Sequence, residues 1–431
     1  MALTGRAGLL ALAGALVVGL LLPSWPGVLA VTGVVLAGVG ADLLLAGGVR
    51  RLEFGRSGDD AVRLGAEAEV ALRVANPGGR PVRGVLRDAW VPSAGAVADR
   101  HRLHVPAGEA RVVRTRLRPT RRGDRPAERV TVRSVGPLGL AARQGSHEVP
   151  WTVRALPPFH SRRHLPGMLD RLRELDGRRA ALVRGRGTEF DSLREYVTGD
   201  DVRSIDWRAT ARAADVMVRT WRPERDRHIV LVLDTGRTAA GRVGDGTRLD
   251  AAMDAALLLA ALAARAGDRV ELLAYDRRVR ASVQGAGQAE LLPSLVSAMA
   301  PLEPELVELD ARGLVREVLR RTRRRSLVVL LTGLDPAPLE EGLLPVLPSL
   351  TARHRLLIAA VADPAVAELA RGRGDAESVY GAAAAERTLA ERAHVTALLG
   401  RHGADVVDAD PGALPPALAD RYLTLKATGR L

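Results

Sequence analysis

"HIVLVLD", residues 228 to 234, is an aliphatic run that closes on an acid. A strand with one wet face alternates apolar and polar residues; this one does not, so both its faces must be covered. The rhythm then repeats. "RLDAAMDAALLLAALAARAG" (248–267) reads as a helix closed by Gly267, and "DRVELLAYD" (268–276) as a second strand. "SLVVLLTGLD" (326–335), "HRLLIAAVAD" (354–363) and "ADVVDAD" (404–410) supply a third, fourth and fifth strand, with helical stretches between most of them. Aliphatic strands alternating with helices predict an α/β domain over residues 229–431, with a mainly parallel sheet covered on both faces. Ligands on such sheets bind at the carboxyl ends of the strands.

Further upstream the period changes to two. "EVALRVANPGGRPV" (69–82) alternates Val70, Leu72 and Val74 before an Asn-Pro-Gly-Gly turn, and "HRLHVPAGEARVVRTRLRP" (101–119) and "ERVTVRSVGPLGLAAR" (128–143) follow suit. Short strands between Pro and Gly turns predict a small β-sandwich-like domain over residues 50–156.

Between Ala7 and Ala41 there is no charged residue, and only "PSWPG" (23–27) interrupts the apolar run as a turn. Two arms, Ala7 to Leu22 and Val28 to Ala46, predict a transmembrane helical hairpin within residues 1–49, with Trp25 as an interfacial aromatic. A signal peptide cleaved after "VLA" at Ala30 competes, but a second apolar arm follows at once. Arg6 precedes the first arm and Arg50, Arg51 and Arg56 follow the second, while the turn has no basic residue. The positive-inside rule then puts both ends, and the soluble parts, in the cytoplasm of a multi-pass cell-membrane protein. Asp42 reads as an end-of-helix residue that reaches the interface.

The composition narrows the function classes. The chain has 431 residues, 47% hydrophobic and 3% aromatic, so its cores are built from Leu, Val and Ala. No cysteine is present, which removes disulfides, thiolate catalysis and cysteine zinc sites. A net charge of +13 invites a nucleic-acid partner, yet no recognition motif accompanies it, and Lys426 is the sole lysine among 63 basic residues, as an Arg-biased composition would give.

Candidate chemistry is sparse. "LDTGRTAAGRVGDG" (233–246) lacks the spacing of a phosphate-binding loop, but Asp234 and Thr238 are oxygen ligands at the carboxyl end of the first strand. His160 and His164 have an HxxxH spacing, although flanking prolines and Arg162 and Arg163 speak against zinc. "FDSLREYVTGDDVRSIDW" (190–207) crowds Asp200, Asp201 and Asp206 among arginines. Asp200 or Asp201 is expected to cap the turn that follows, and Arg194, Glu195, Arg203, Asp206 and Arg208 to pair around a partly buried Trp207.

At these residues the chain resembles the bacterial family called domain of unknown function 58. Its signature is met by Gly187, Glu189, Phe190, Leu193, Arg194, Glu195, Tyr196, Gly199, Asp200, Arg203, Ile205, Asp206, Trp207, Ala211 and Arg212, with Asp201 beside them. The order of the rest agrees: an N-terminal hairpin, a β-rich part ending in "SVGPLGL", the signature within a linking segment 157–228, then a domain similar to von Willebrand factor type A. The resemblance implies a cytoplasm-facing scaffold or adaptor whose Rossmann-like type A domain engages a protein, a MoxR-type AAA+ ATPase being the expected partner. Type A domains hold Mg²⁺ through Asp-x-Ser-x-Ser, a loop Thr and a later Asp. Here the corresponding positions are Asp234, Gly236 and Thr238, then Thr332 and Gly333, with Asp335 two residues along. A hard cation wants about six oxygens; with two of these positions glycine, neither a metal nor another cofactor is expected. No catalytic residue is assigned. Two alternatives stay open: a Mg²⁺-dependent ligand-binding module at Asp234 and Thr238, and a hydrolase using Asp200, Asp201 or Asp206.

Overall fold

The computed structural model describes residues 2–21, 23–182, 189–213, 215–222 and 227–429. Contacts divide the chain into two compact units, residues 1–158 and 159–431, so the segment from Phe159 onward groups with the second unit.

The first unit opens with β1 (Ala2–Leu3), α1 (Gly5–Leu21) and α2 (Trp25–Leu45). At about 1.5 Å per residue α2 is about 31 Å long, enough for a hydrocarbon layer of about 30 Å. The 17-residue α1 is shorter, and α2 is the one described helix long and apolar enough to cross a membrane. The turn is tighter than "PSWPG" suggests. Ser24 caps α2 by accepting from Gly27 N at 3.3 Å, and Pro26 sits in the first helical turn, where its missing N–H is not needed. Gly14 lies against Val31, where a Cβ would collide.

Asp42, in the last turn of α2, is fully buried. Its carboxylate accepts from the backbone N–H of Leu138 at 2.7 Å, Leu140 at 2.5 Å and Ala141 at 2.9 Å. The expectation that it reaches the interface is therefore corrected: it fastens the helix to the "GPLGLA" turn. Gly136 has to be glycine, since a Cβ there would run into the same carboxylate.

Strands β2 (Glu53–Gly58), β3 (Ala61–Arg63), β4 (Ala68–Ala75), β5 (Val82–Trp90), β6 (Arg100–Val105), β7 (Ala110–Leu117), β8 (Gly123–Val135), β9 (Ala141–His147) and β10 (Thr152–Leu156) complete this unit. One sheet is β2-β4-β7; in the other, β5 pairs with β6 and β8, and the path β1-β9-β8-β10-β3 runs through the long β8. The period of two does what it predicted, burying Val70, Leu72 and Val74 while their neighbours face out. Leu72, Val74 and Val113 of the first sheet share a core with Leu86, Leu103, Val130 and Val132 of the second. A buried ion pair lies within the unit. Arg56 reaches Asp88 at 2.5 Å, with side chains 1% and 0% exposed, and Asp88 also accepts from Trp90 Nε1 at 3.0 Å and Thr115 Oγ1 at 2.8 Å. Arg56, read above as a flanking topology charge, is thus a core residue.

The second unit begins with a 3₁₀ turn, His160–His164, and α3 (Leu165–Leu182). Ser161 Oγ donates to Asp254 Oδ1 at 2.9 Å, and Met168 and Leu172 are buried. β11 (Glu189–Glu195) and β12 (Met217–Arg222) form an antiparallel pair, with α4 (Trp207–Thr210) between them. β13 (His228–Asp234), the small hairpin β14 (Arg242–Val243) and β15 (Gly246–Thr247), α5 (Arg248–Arg265), β16 (Arg269–Tyr275) and β17 (Val279–Val283) follow. α6 (Gln288–Met299), α7 (Ala311–Arg321), β18 (Leu327–Leu331), α8 (Leu347–Thr351) and β19 (Arg355–Val361) continue the alternation. α9 (Pro364–Leu369), α10 (Ala376–Arg401), β20 (Ala404–Ala409) and α11 (Leu414–Ala427) end it.

The six-stranded sheet has the order β17-β16-β13-β18-β19-β20. β13 is central and every pair is parallel except β16 with β17. The five expected parallel strands are all present; the antiparallel edge strand "VRASV" was not expected. α5 is buried on almost every side, which its run of Ala and Leu allows, and a Thr247–Asp250 capping box starts it.

Candidate functional site

The carboxyl ends of β13, β16 and β18 gather the chemistry. Asp234 ends β13 and is 2% exposed. Its Oδ2 accepts from Thr332 Oγ1 at 2.6 Å and Thr238 Oγ1 at 3.0 Å, and its Oδ1 from Gly236 N at 2.7 Å. Thr332 follows directly on β18, so parallel neighbours in register bring two sequence-distant residues together. Burial raises the pKa of Asp234, against the three hydrogen bonds that lower it, and the charge of Asp276 adds to the rise. Asp276, directly after β16, is buried beside Thr235 and accepts from Arg280 Nη1 at 2.8 Å. Burial opposes its ionisation, but hydrogen bonds from Arg277 N, Arg278 N and Arg280 prevail and lower its pKa.

A cleft opens here, lined among others by Asp234, Thr238, Glu308, Leu309, Gly333 and Leu339. Arg237 pairs with Glu308 at its rim. Arg248 reaches Asp335 at 3.2 Å, and both side chains lie close to Gly333. Sequence reasoning missed Arg248. The signal was available: a cation in the first turn of a helix opposes the helix dipole and needs a partner such as Asp335.

These residues do not fit Mg²⁺. Each Asp234 oxygen already accepts a hydrogen bond, Gly236 and Gly333 bring no side-chain oxygen, and a guanidinium holds Asp335 beside Gly333. Among the described residues, no group of three or more His, Asp or Glu side chains is placed to hold a metal. His160 and His164 fall in a 3₁₀ turn rather than on one helical face.

The signature residues lie elsewhere in this unit. Gly187 is outside the described residues; Glu189 and Phe190 start β11, paired with Arg222 and Trp221 of β12. Arg194 binds Asp200 through 2.6 and 2.8 Å contacts, and Asp200 also accepts from Val197 N at 3.0 Å. Asp201 caps the turn Val202–Ser204, accepting from Arg203 N. Asp206 caps α4 by accepting from Arg208 N and Ala209 N at 3.0 Å, and pairs with Arg219 at 2.7 Å. Arg194 lowers the pKa of Asp200 and Arg219 that of Asp206, each with help from backbone N–H groups. The capping expectation is met, but the network is corrected. It is two separate pairs, Asp206 joins Arg219 instead of Arg194 or Arg203, and Trp207 is 68% exposed rather than partly buried. Gly199 has φ +110°, which explains its identity.

The family model described as "Protein of unknown function DUF58" matches residues 192–392, from β11 into α10. The uncharacterised protein Rv1480 of Mycobacterium tuberculosis is 30% identical over 200 residues, covering 45% of this chain and 61% of the relative. The uncharacterised protein Mb1516 of Mycobacterium bovis gives the same figures. The chain thus spans 61% of the length of the curated relatives it matches. Among solved structures, the CARDB domain of a Pyrococcus furiosus protein with di-metal ions is 20% identical over 24% of this chain and 91% of its own, at a TM-score of 0.19. A beta-glucosidase from Listeria innocua is 15% identical over 23% of this chain and 16% of its own, at 0.16. Likenesses of that size bear no weight for this chain.

Proposed function

We propose that the protein is a membrane-anchored scaffold or adaptor, facing the cytoplasm, whose second unit is a type A-like domain that binds a protein partner without catalysis. The observation that carries this reading is the sheet order. Counted along the sheet's own strands it is 3-2-1-4-5-6 with the third antiparallel, a doubly wound arrangement whose ligand crevice lies at the carboxyl edge beside the central strand. Asp234, Thr238 and Thr332 lie there, with the cleft beside them.

α1 and α2 together form the anchor in this reading. Arg50 and Arg51, both exposed, remain as the flanking charges that favour a cytoplasmic second unit. A MoxR-type AAA+ ATPase is the partner that the family resemblance favours. Against hydrolysis, Asp200 and Asp206 are ion-pair members with lowered pKa, Asp206 also capping α4, whereas a general acid needs a raised one.

Capture of the full chain from its native membrane, with co-purifying proteins identified by mass spectrometry, tests the scaffold reading. An AAA+ ATPase that is retained by the wild type and lost on Glu308→Lys, a rim change in the cleft, is the expected result. Equal retention by both proteins would move the binding surface elsewhere, and turnover of any substrate that depends on Asp206 would replace the reading by an enzyme. Titration calorimetry with Mg²⁺ is expected to show no binding.

A further inference from the structure

The amino edge of the six-stranded sheet is built unlike the carboxyl edge. The connections that lead into β16, β18, β19 and β20 run "RAGDR" (265–269), "RRTRRRS" (320–326), "ARHR" (352–355) and "RHG" (401–403), and Asp268 is the one acid in them, whereas "PERD" (223–226) ahead of β13 carries Glu224 and Asp226. Asp268 is buried and held by Lys426 Nζ at 2.7 Å and by Tyr422. The parallel register sets these segments side by side. His228 is level with Arg269, and Leu327 with both Ile229 and Arg355. Arg269 N donates to Arg227 O at 2.7 Å, and Arg355 N to Ser326 O at 3.0 Å. Neighbouring strands lie about 4.8 Å apart, so these basic segments line one edge of the sheet.

Part of that charge is neutralised: Glu317 holds Arg320 and Arg321. Glu271 lies 3.2 Å from His228, and Asp405 is held by Arg355 and Arg421. Arg269, Arg323, Arg325 and Arg353 are exposed and have no acid partner among the described residues. Among the described residues, Arg227 Nη1 and His354 Nδ1 are buried there with no hydrogen-bond partner. Burial first, then the charges of Arg353, His228 and Arg325, lower the pKa of His354, a sign that these groups converge.

We propose that this edge docks on the anionic headgroups of a phospholipid bilayer. The proposal rests on the anchoring read above, because an apolar helix in the same chain keeps the second unit within reach of a bilayer surface. An edge carrying exposed guanidinium groups fits a layer of phosphates. The four connections contain no Phe, Tyr or Trp on which a nucleic-acid base would stack.

The chain has no cysteine, so Ala352→Cys, at an exposed position beside Arg353, accepts a single environment-sensitive fluorophore. The labelled full chain is reconstituted in phosphatidylcholine vesicles with or without phosphatidylglycerol. The expected result is a blue shift and quenching by brominated lipid only with phosphatidylglycerol, reversed at about 0.5 M salt. Each arginine contributes about a fivefold preference for the docked state. Arg269→Gln, Arg323→Gln, Arg325→Gln and Arg353→Gln together should therefore abolish the signal, and the matching Lys variants restore most of it. Identical emission in both vesicles, or a signal that survives the Gln variants with unfolding unchanged, overturns the proposal. So does a shift produced in neutral vesicles by an oligonucleotide or polyglutamate and not by phosphatidylglycerol. Extraction of the protein from both vesicle types by alkaline carbonate would instead defeat the anchoring reading. Flotation of the added protein with phosphatidylglycerol vesicles then decides the edge alone, floating supporting it and failure to float overturning it.

Discussion

Burial raises the pKa of Asp234 above the ordinary 3.8 in spite of Thr332, Gly236 N and Thr238, while Arg320, against burial and with help from Arg321, pulls Glu317 down from 4.5 to about 2. The two acids make stability depend on pH with opposite signs. For Glu317 the folded state releases its proton first, so its contribution is full above the unfolded value and is lost as pH falls from 4.5 through about 2. For Asp234 the folded state holds its proton longer, so stability falls as pH rises from the unfolded value through the raised folded one. Above pH 4.5 the Glu317 effect is saturated, and comparison with a variant at position 234 separates Asp234 from Asp254 and Asp268, which are raised as well. The unfolding temperature of Asp234→Asn, whatever its offset at low pH, should gain on the wild type as pH rises above that point. Parallel curves for the two proteins would show that Asp234 has an ordinary pKa. At this scale the sequence was partly legible. Asp234 and Thr238 stand out because an acid after an aliphatic run marks a strand's carboxyl end. Arg56, Asp88 and Thr115 carry no spacing signal, since only the sandwich brings them together.

Elements were legible where one period held for their whole length. The aliphatic runs of β13, β18 and β19 announce burial on two faces, and β4 announces burial on one. β17 was missed because an edge strand needs cover on fewer sides, and "VRASV" is accordingly half exposed. The signature misled for a related reason. Charges beside Trp207, Val202 and Tyr196 suggested a buried network, yet these hydrophobes are 68%, 63% and 38% exposed and the charges cap short turns. Asp206→Ala removes a cap and one exposed ion pair, so it should loosen α4 without unfolding the six-stranded sheet. Hydrogen exchange is expected to quicken at Arg208 and Ala209, whose N–H groups Asp206 accepts, and to stay unchanged in β13. Faster exchange throughout β13 would mean that the pair braces the whole unit.

Each unit of the molecule has its own core and its own buried ion pair. In the first, Arg56 and Asp88 lie in the unit that contains the Leu72–Leu86–Val132 core. In the second, Lys426 of α11 donates to Asp268 at 2.7 and 2.8 Å, with side chains 9% and 0% exposed, which ties the last helix to the turn between α5 and β16. Removing one partner leaves the other charged and buried, at a cost of about 3–5 kcal/mol. Burial raises the pKa of Asp268 although Lys426 and Tyr422 lower it, so in Lys426→Met this aspartate would face burial without its cation. Scanning calorimetry of the full chain in detergent should show two transitions. Asp88→Ala is expected to lower one and Lys426→Met the other, each leaving its companion in place. An independent probe identifies the second: Lys426 is the sole lysine, so an amine-reactive reagent should label it only as that unit unfolds. If both variants lowered a single common transition, the two units would fold as one cooperative body, and the buried pairs would stabilise the chain as a whole.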